Sequence, residues 1–216
     1  MVTNVETDRE KRAAAEAAAG LIEAGMTIGL GTGTTVAFLL PALAARGLAV
    51  RCVATSPATE AEARRLGIVI CPFEGIDRLD LAIDGADQVT PDHWLIKGGG
   101  GAHTREKVVA SAADRFVVIV SSNKLVERLA PPVPLEVLAF GAQATLRSLP
   151  SARLRPSTPP SPDGGLIADW YGEVGDPSSL AGRLAGTAGV VGHGLFPPAM
   201  VSDVIVGRGS RAEHRR

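Results

Sequence analysis

The chain has 216 residues, 45% apolar and 21% charged, with 25 glycines and 15 prolines; that length suits one domain and a small second one. Its 22 Lys and Arg against 23 Asp and Glu leave a net charge of −1, without the electrostatic footprint of a nucleic-acid binder. No apolar run approaches the about 18 residues of a membrane span, MVTNVETDREKR is too polar for a signal peptide, and Cys52 and Cys71 match no metal or redox spacing, so a soluble, cytoplasmic protein without membrane contact is expected.

Residues 8–24 place Ala14, Ala17, Ala18, Leu21 and Ile22 on one helical face, with the charges gathered at the start. MTIGLG (26–31) is a short apolar run closed by glycines, and 34–46 reads as helix. LAVRCVA (48–54) reads as a buried strand; Ser56-Pro57 then supplies an N-cap and first helical position for ATEAEARRLG. GIVIC (67–71) and LDLAID (79–84) are further apolar runs, HTREKVVASAADR (103–115) is helical, and FVVIVSS (116–122) is a strand. Short apolar strands alternating with helices predict crossovers and a parallel sheet covered on both faces.

The pattern then changes. The prolines of APPVPLEV (130–137) mark a boundary, 138–149 reads as helix, and RPSTPPSPDGG (155–165) is a loop whose prolines forbid a regular helix or central strand. GLIADWYG and AGVVGHGLF read as strands flanking an SSLAGRLAG helix, an α+β arrangement suited to a small domain. VSDVIVG (201–207) is another strand, and the basic tail RGSRAEHRR is expected to be a frayed, solvated terminus. The expected division is a larger parallel-sheet domain of residues 1–130 plus 199–216 and a small α+β domain of 131–198.

Four motifs fall at the carboxyl ends of apolar strands. GLGTGTT (29–35) offers glycines that admit an anion to the backbone, a helix N-terminus, and the hydroxyls of Thr32, Thr34 and Thr35, which suit a phosphate. It fits a dinucleotide site poorly, because Thr34 takes the place of the third glycine and no acid ends the next strand. LDLAIDGADQ puts Asp84 at the carboxyl end of a strand and Asp87 three residues on, where two carboxylates can bind sugar hydroxyls, hold a metal or move protons; taken alone, an Asp-Gly turn with capping acids explains them as well. LIKGGGGAHTREKVV joins Lys97, the costly glycines Gly98 to Gly101, and Glu106 in the next helix, which reads as a loop wrapping a ligand. Glu106 and Lys107 by themselves would pass for a solvated helix face, and His103 and Arg105 are assigned to the surface or to support. SSNKLVERL places Lys124 beyond another strand, on the same edge as the other three motifs.

GLGTGTT, DLAIDGADQ, IKGGGGAHTREKVVA and SSNKLVERL, in this order and continued by PPVPLEV and GVVGHGLF, resemble ribose-5-phosphate isomerases of the A type over nearly the whole chain. The resemblance implies interconversion of D-ribose 5-phosphate and D-ribulose 5-phosphate with no metal and no organic cofactor. It also implies a Rossmann-like domain with a small ferredoxin-like α+β domain, and assembly as a homodimer or homotetramer. By motif position it makes Glu106 the catalytic base; for such a reaction Lys97 can stabilise charge on the enediolate oxygen and Asp84 can shuttle protons on the sugar oxygens. It assigns substrate binding to Thr32, Gly33, Thr34, Thr35, Asp84, Gly85, Ala86, Asp87, Lys97, Gly98, Gly99, Gly100 and Lys124, with Lys11 of the first helix approaching the site. Gln88 stands where an acid commonly follows, His103-Thr104 replace residues more often apolar, and SPDGG (161–165) replaces a TDNGN-like turn. Two other classes share parts of this pattern. A non-catalytic sugar-phosphate sensor would not need Glu106, Asp84 and Lys97 together, and a CoA-transferase-like enzyme would need a further substrate domain.

Overall fold

Short buried strands linked by helices can pair in parallel only through crossovers, and the chain alternates accordingly. The computed structural model describes residues 4–215, which include all of the expected tail except Arg216. Its first half runs α1 (Asn4–Ala19), β1 (Thr27–Leu30), α2 (Val36–Ala45), β2 (Arg51–Ala54), α3 (Pro57–Arg65) and β3 (Leu81–Asp84). There follow β4 (Gln88–Val89), β5 (Leu95–Ile96), α4 (His103–Ser111), β6 (Phe116–Ser121), β7 (Val133–Val137) and α5 (Ala142–Ser148). The remainder is β8 (Ala152–Leu154), β9 (Leu166–Trp170), α6 (Pro177–Ala185), β10 (Val190–His193), β11 (Leu195–Phe196), β12 (Asp203–Arg208) and β13 (Arg211–Arg215).

Two compact units divide these elements, one of residues 1–86, 105–125 and 199–216, the other of 87–104 and 126–198. The segment 87–104 thus groups with the second unit, because β5 pairs with β11 and Lys97 N donates to Gly194 O at 2.9 Å.

The first unit is a six-stranded sheet in the order β13-β12-β6-β3-β1-β2, parallel except for β13. The direction of winding reverses between β1 and β3, the place where open α/β sheets bind ligands beyond their carboxyl ends. Ala14, Ala15 and Ala18 of α1 pack with Leu39, Leu43, Ile28, Ile83 and Ile205 in one core. Gly207 lets α1 lie directly on β12, since a Cβ there would come within 1.9 Å of Glu10 O. Ser56 caps α3 as expected, its Oγ accepting from Thr59 N at 3.1 Å. The run at 67–71 makes only an isolated bridge, Ile70 to Cys52. The tail is a correction: Arg211–Arg215 is not frayed but forms the antiparallel edge strand β13. Gly209, at φ +56°, turns the chain back onto β12 in a two-residue hairpin.

The second unit has a four-stranded antiparallel sheet, β10-β7-β9-β8, with α5 and α6 completing a β-α-β-β-α-β order, the ferredoxin-like arrangement. Its core joins Leu135, Val137, Ala168, Trp170, Leu180 and Leu184. The proline-marked boundary ends earlier than the motif suggested, since Val133–Val137 is a central strand. Pro134 is tolerated there because its carbonyl faces Gly194 N at 2.7 Å, past the end of β10, so the missing N–H breaks no ladder bond on that side. A small three-stranded sheet, β11-β5-β4, completes the unit. Among the described residues no helix is long and apolar enough to cross a membrane.

Candidate active site

In the first unit the turn after β1 and the end of β3 meet at the reversal of strand order. Asp84 is 3% exposed, and its Oδ1 accepts from Thr32 N at 3.1 Å and Gly85 N at 2.7 Å. Gly31 makes this possible, since a Cβ there would lie 1.9 Å from the Asp84 carboxylate. Gly31 therefore belongs with the site residues although the motif did not single it out; the signal was a glycine preceding the hydroxyl run.

Thr32 is placed differently from the simple phosphate reading. Its Oγ1 lies 2.9 Å from Thr55 Oγ1, 2.7 Å from Ser56 Oγ and 3.0 Å from Thr59 Oγ1, within a cluster of hydroxyls that Thr59 ties to Gly31 O. Thr32 thus braces the turn through its side chain and orients Asp84 through its N–H. Gly33, at φ +123°, and Thr34 are exposed beside it. Thr35 precedes α2 without making a side-chain capping bond. Gly85 lies beside Thr35 and Ile119, and Ala86 is half-buried.

Glu106 lies in the first turn of α4 and is 5% exposed, a position where the helix dipole favours a carboxylate. It is not part of a solvated face. Neither is Lys107, whose pKa burial pushes down to about 8. Lys124 ends a short turn, Ser122–Lys124, after β6. That turn hangs on Glu10 of α1, 5% exposed, whose carboxylate accepts from Ser122 N at 2.9 Å, Ser122 Oγ at 2.8 Å and Gly209 N at 3.3 Å. Nothing in the sequence pattern distinguished Glu10 from the other charges of α1. Lys11 beside it pairs with Asp8 at 3.1 Å.

In the second unit Lys97 directly follows β5 at 2% exposure, with its Nζ 5.5 Å from the centre of the Phe196 ring. An ammonium is attracted to an aromatic face, so Phe196 of the GHGLF segment, in contact with Lys97, is a second residue that motif reading passed over. The glycine loop follows, with Gly98 at φ +105° and Gly101 at φ +77°. A Cβ on Gly98 would sit 2.6 Å from His103 Nδ1. His103, expected at the surface or in support, is fully buried and packs under the loop. Asp87 Oδ2 accepts from Gly99 N at 2.8 Å, and Gly100 is exposed.

The departures from the family pattern are accommodated locally. Gln88 uses both ends of its amide, accepting from Ala130 N at 2.8 Å and donating to Ala130 O at 2.7 Å, which an ionised acid could not do. Ser161 closes the SPDGG turn, accepting from Gly165 N at 3.1 Å and donating to the buried Glu136. Among the described residues no group of three or more His, Cys, Asp or Glu is arranged to hold a metal ion.

The family model for ribose 5-phosphate isomerase A (phosphoriboisomerase A) matches residues 51–211. The ribose-5-phosphate isomerase A of Caulobacter vibrioides is 45% identical over 207 residues, 89% of this chain and 91% of the relative. The crystal structure of ribose 5-phosphate isomerase A from Neisseria gonorrhoeae superposes with a TM-score of 0.92 at 32% identity, covering 99% of this chain and 97% of that one. A D-ribose-5-phosphate isomerase solved with phospho-erythronic acid superposes at 0.91 with 33% identity, over 97% of this chain and 99% of that one. The chain belongs to the ribose 5-phosphate isomerase A family.

Proposed function

We propose that this isomerase interconverts D-ribose 5-phosphate and D-ribulose 5-phosphate through an enediolate, with Glu106 as the general base. The observation that carries the reading is Glu106 itself: a carboxylate 5% exposed in the first helical turn after a four-glycine loop. Such a group can take the C2 proton and return it to C1, provided the sugar lies within hydrogen-bond reach. Lys97, shielded against Phe196, supplies positive charge to the enediolate oxygen as it forms. Asp84, already oriented by Thr32 and Gly85, shuttles protons on the sugar oxygens, and Asp87 orients hydroxyls. The turn Gly33-Thr34-Thr35, the uncapped start of α2, and Lys124 take the phosphate, an anchor remote from the reacting carbons. The relative solved with phospho-erythronic acid, a phosphorylated sugar acid, supports a phosphorylated sugar as the ligand class.

A sugar-phosphate sensor or a CoA-transferase-like enzyme is not favoured, because the relatives matched over most of this chain are named isomerases. We propose further that the protein works in the cytoplasm as a homodimer or homotetramer, without nucleic acid or membrane as partner. The test of function is Glu106→Gln assayed for ribulose 5-phosphate formation. It is expected to fold and bind the phosphosugar but to lose turnover by about 10²–10⁴-fold. Near-parent turnover would remove Glu106 as the base.

A further inference from the structure

The proline-rich loop 155–165 begins with an arginine that the proposed chemistry does not use. Arg155 extends β8 by one residue, its N–H donating to Ile167 O at 2.9 Å. Its guanidinium donates twice to Asp169 on β9, from Nε at 2.8 Å and Nη2 at 2.6 Å. Asp169 is 4% exposed, so the fork is anchored on a carboxylate enclosed by the sheet. The remaining nitrogen, Nη1, donates to Gly98 O at 3.3 Å and Gly99 O at 2.9 Å.

These contacts fall on the peptide unit where control is hardest. Gly98 and Gly99 have no side chains to restrict them, and glycine peptides reorient more freely than any others. The Gly98 carbonyl and the Gly99 N–H belong to one planar group. Its oxygen is held by Arg155, and its N–H is held by Asp87 Oδ2 at 2.8 Å. Rotating that plane would break both bonds at once. The residue just before it is Lys97.

We propose that Arg155, fixed by Asp169, is a positioning residue of the isomerase: it clamps the Gly98–Gly99 peptide plane against Asp87 and so sets the approach of Lys97 and Asp87 to the sugar. The inference rests on the reading of Lys97 and Asp87 given above. Lysine cannot substitute for it, because a single ammonium cannot hold a carboxylate bidentately and reach two carbonyls in one plane. The loop's carbonyls, bound to a cation, are also kept from facing an anionic substrate.

The test uses the full-length protein, with kcat, KM for ribose 5-phosphate and the thermal midpoint measured for Arg155→Lys and Arg155→Ala. Both are expected to lose about ten- to hundredfold in kcat, with KM changed by no more than about threefold and the midpoint above the assay temperature. Guanidinium ion, added at concentrations that leave the parent unaffected, is expected to restore part of the kcat of Arg155→Ala and none of that of Arg155→Lys. Parent-like kcat in both variants would overturn the proposal. So would a loss that tracks the unfolded fraction and does not respond to guanidinium. Lys97→Met, measured alongside, separates the two readings. If it is inactive while the Arg155 variants match the parent, the clamp is wrong and the loop's catalytic reading stands. If it turns over like the parent, the catalytic reading falls and the clamp falls with it.

Discussion

Lys97 and Lys124 carry the same charge in different surroundings, and the difference makes their roles separable. Lys97 is 2% exposed against an aromatic face at the mouth of the glycine loop, whereas Lys124 is half-buried at the end of a short turn. A charge shielded from water acts most strongly on charge that develops beside it. Lys97→Met is therefore expected to lower kcat by about 10²-fold with little change in KM, an interaction made in the transition state. Lys124→Met is expected to raise KM for ribose 5-phosphate about tenfold at nearly constant kcat, the loss of one charged hydrogen bond to the ground state. Steady-state kinetics on both variants decide it, and one shared signature would sink the distinction. At this scale the motifs name candidate residues but do not show what each side chain touches. Thr32 reads as a phosphate hydroxyl in sequence, yet its side chain lies among Thr55, Ser56 and Thr59 and its N–H orients Asp84. No spacing rule foretells that contact, because those partners come from a different strand and helix.

Helices α1 and α4 show how an element does more than its periodicity announces. In α1 the carboxylate of Glu10 gathers Ser122 N–H, Ser122 Oγ and Gly209 N–H, tying the turn that bears Lys124 to the β12–β13 hairpin. Glu10→Ala leaves half-buried donors without their carboxylate acceptor and is expected to cost about 1–3 kcal/mol in urea unfolding. It should also raise KM, because the Lys124 turn loses its tether. A variant as stable as the parent would mean that water replaces the carboxylate. In α4, burial holds Lys107 at a pKa of about 8, below its ordinary value of 10.5. The unfolded chain then binds the proton more tightly than the folded one between these two values, so this residue's contribution to stability rises with pH across that window. Below about pH 8 the folded protein bears the full cost of burying the ammonium. The stability of Lys107→Met relative to the parent is accordingly expected to be greatest near neutral pH and to decline from about pH 8 to pH 10.5. Thermal melts of both proteins across that range check the sign, and a difference that grows with pH would contradict it. The helical period marks α4 as a helix, but it cannot show that Lys107 is half-buried, since burial depends on what packs over the helix.

For the whole molecule, the phosphate anchor predicts that free ribose is a poorer substrate than ribose 5-phosphate by orders of magnitude, because binding energy remote from the reacting carbons is lost with the phosphate. Turnover is also expected to survive a chelator. Equal efficiency on both sugars would reduce the GLGTGTT turn to a structural device, and activity abolished by chelation and restored by a divalent ion would bring in a metal. The sequence alone was sufficient for the class of fold, the parallel strands of the first sheet, the loop at 155–165 and the family, because these depend on local signals: apolar period, capping residues, prolines, and motifs that keep their spacing along the chain. It misjudged RGSRAEHRR, whose charges look like a solvated end while its backbone completes the sheet as β13. Side-chain polarity does not forbid an edge strand when a glycine turn returns the chain to an open ladder. Only the tertiary structure shows what Glu10, Gly31, Phe196 and Arg155 touch. Each acts on a residue distant in sequence, through a bond or contact that exists only once sheet order and burial have brought the two together.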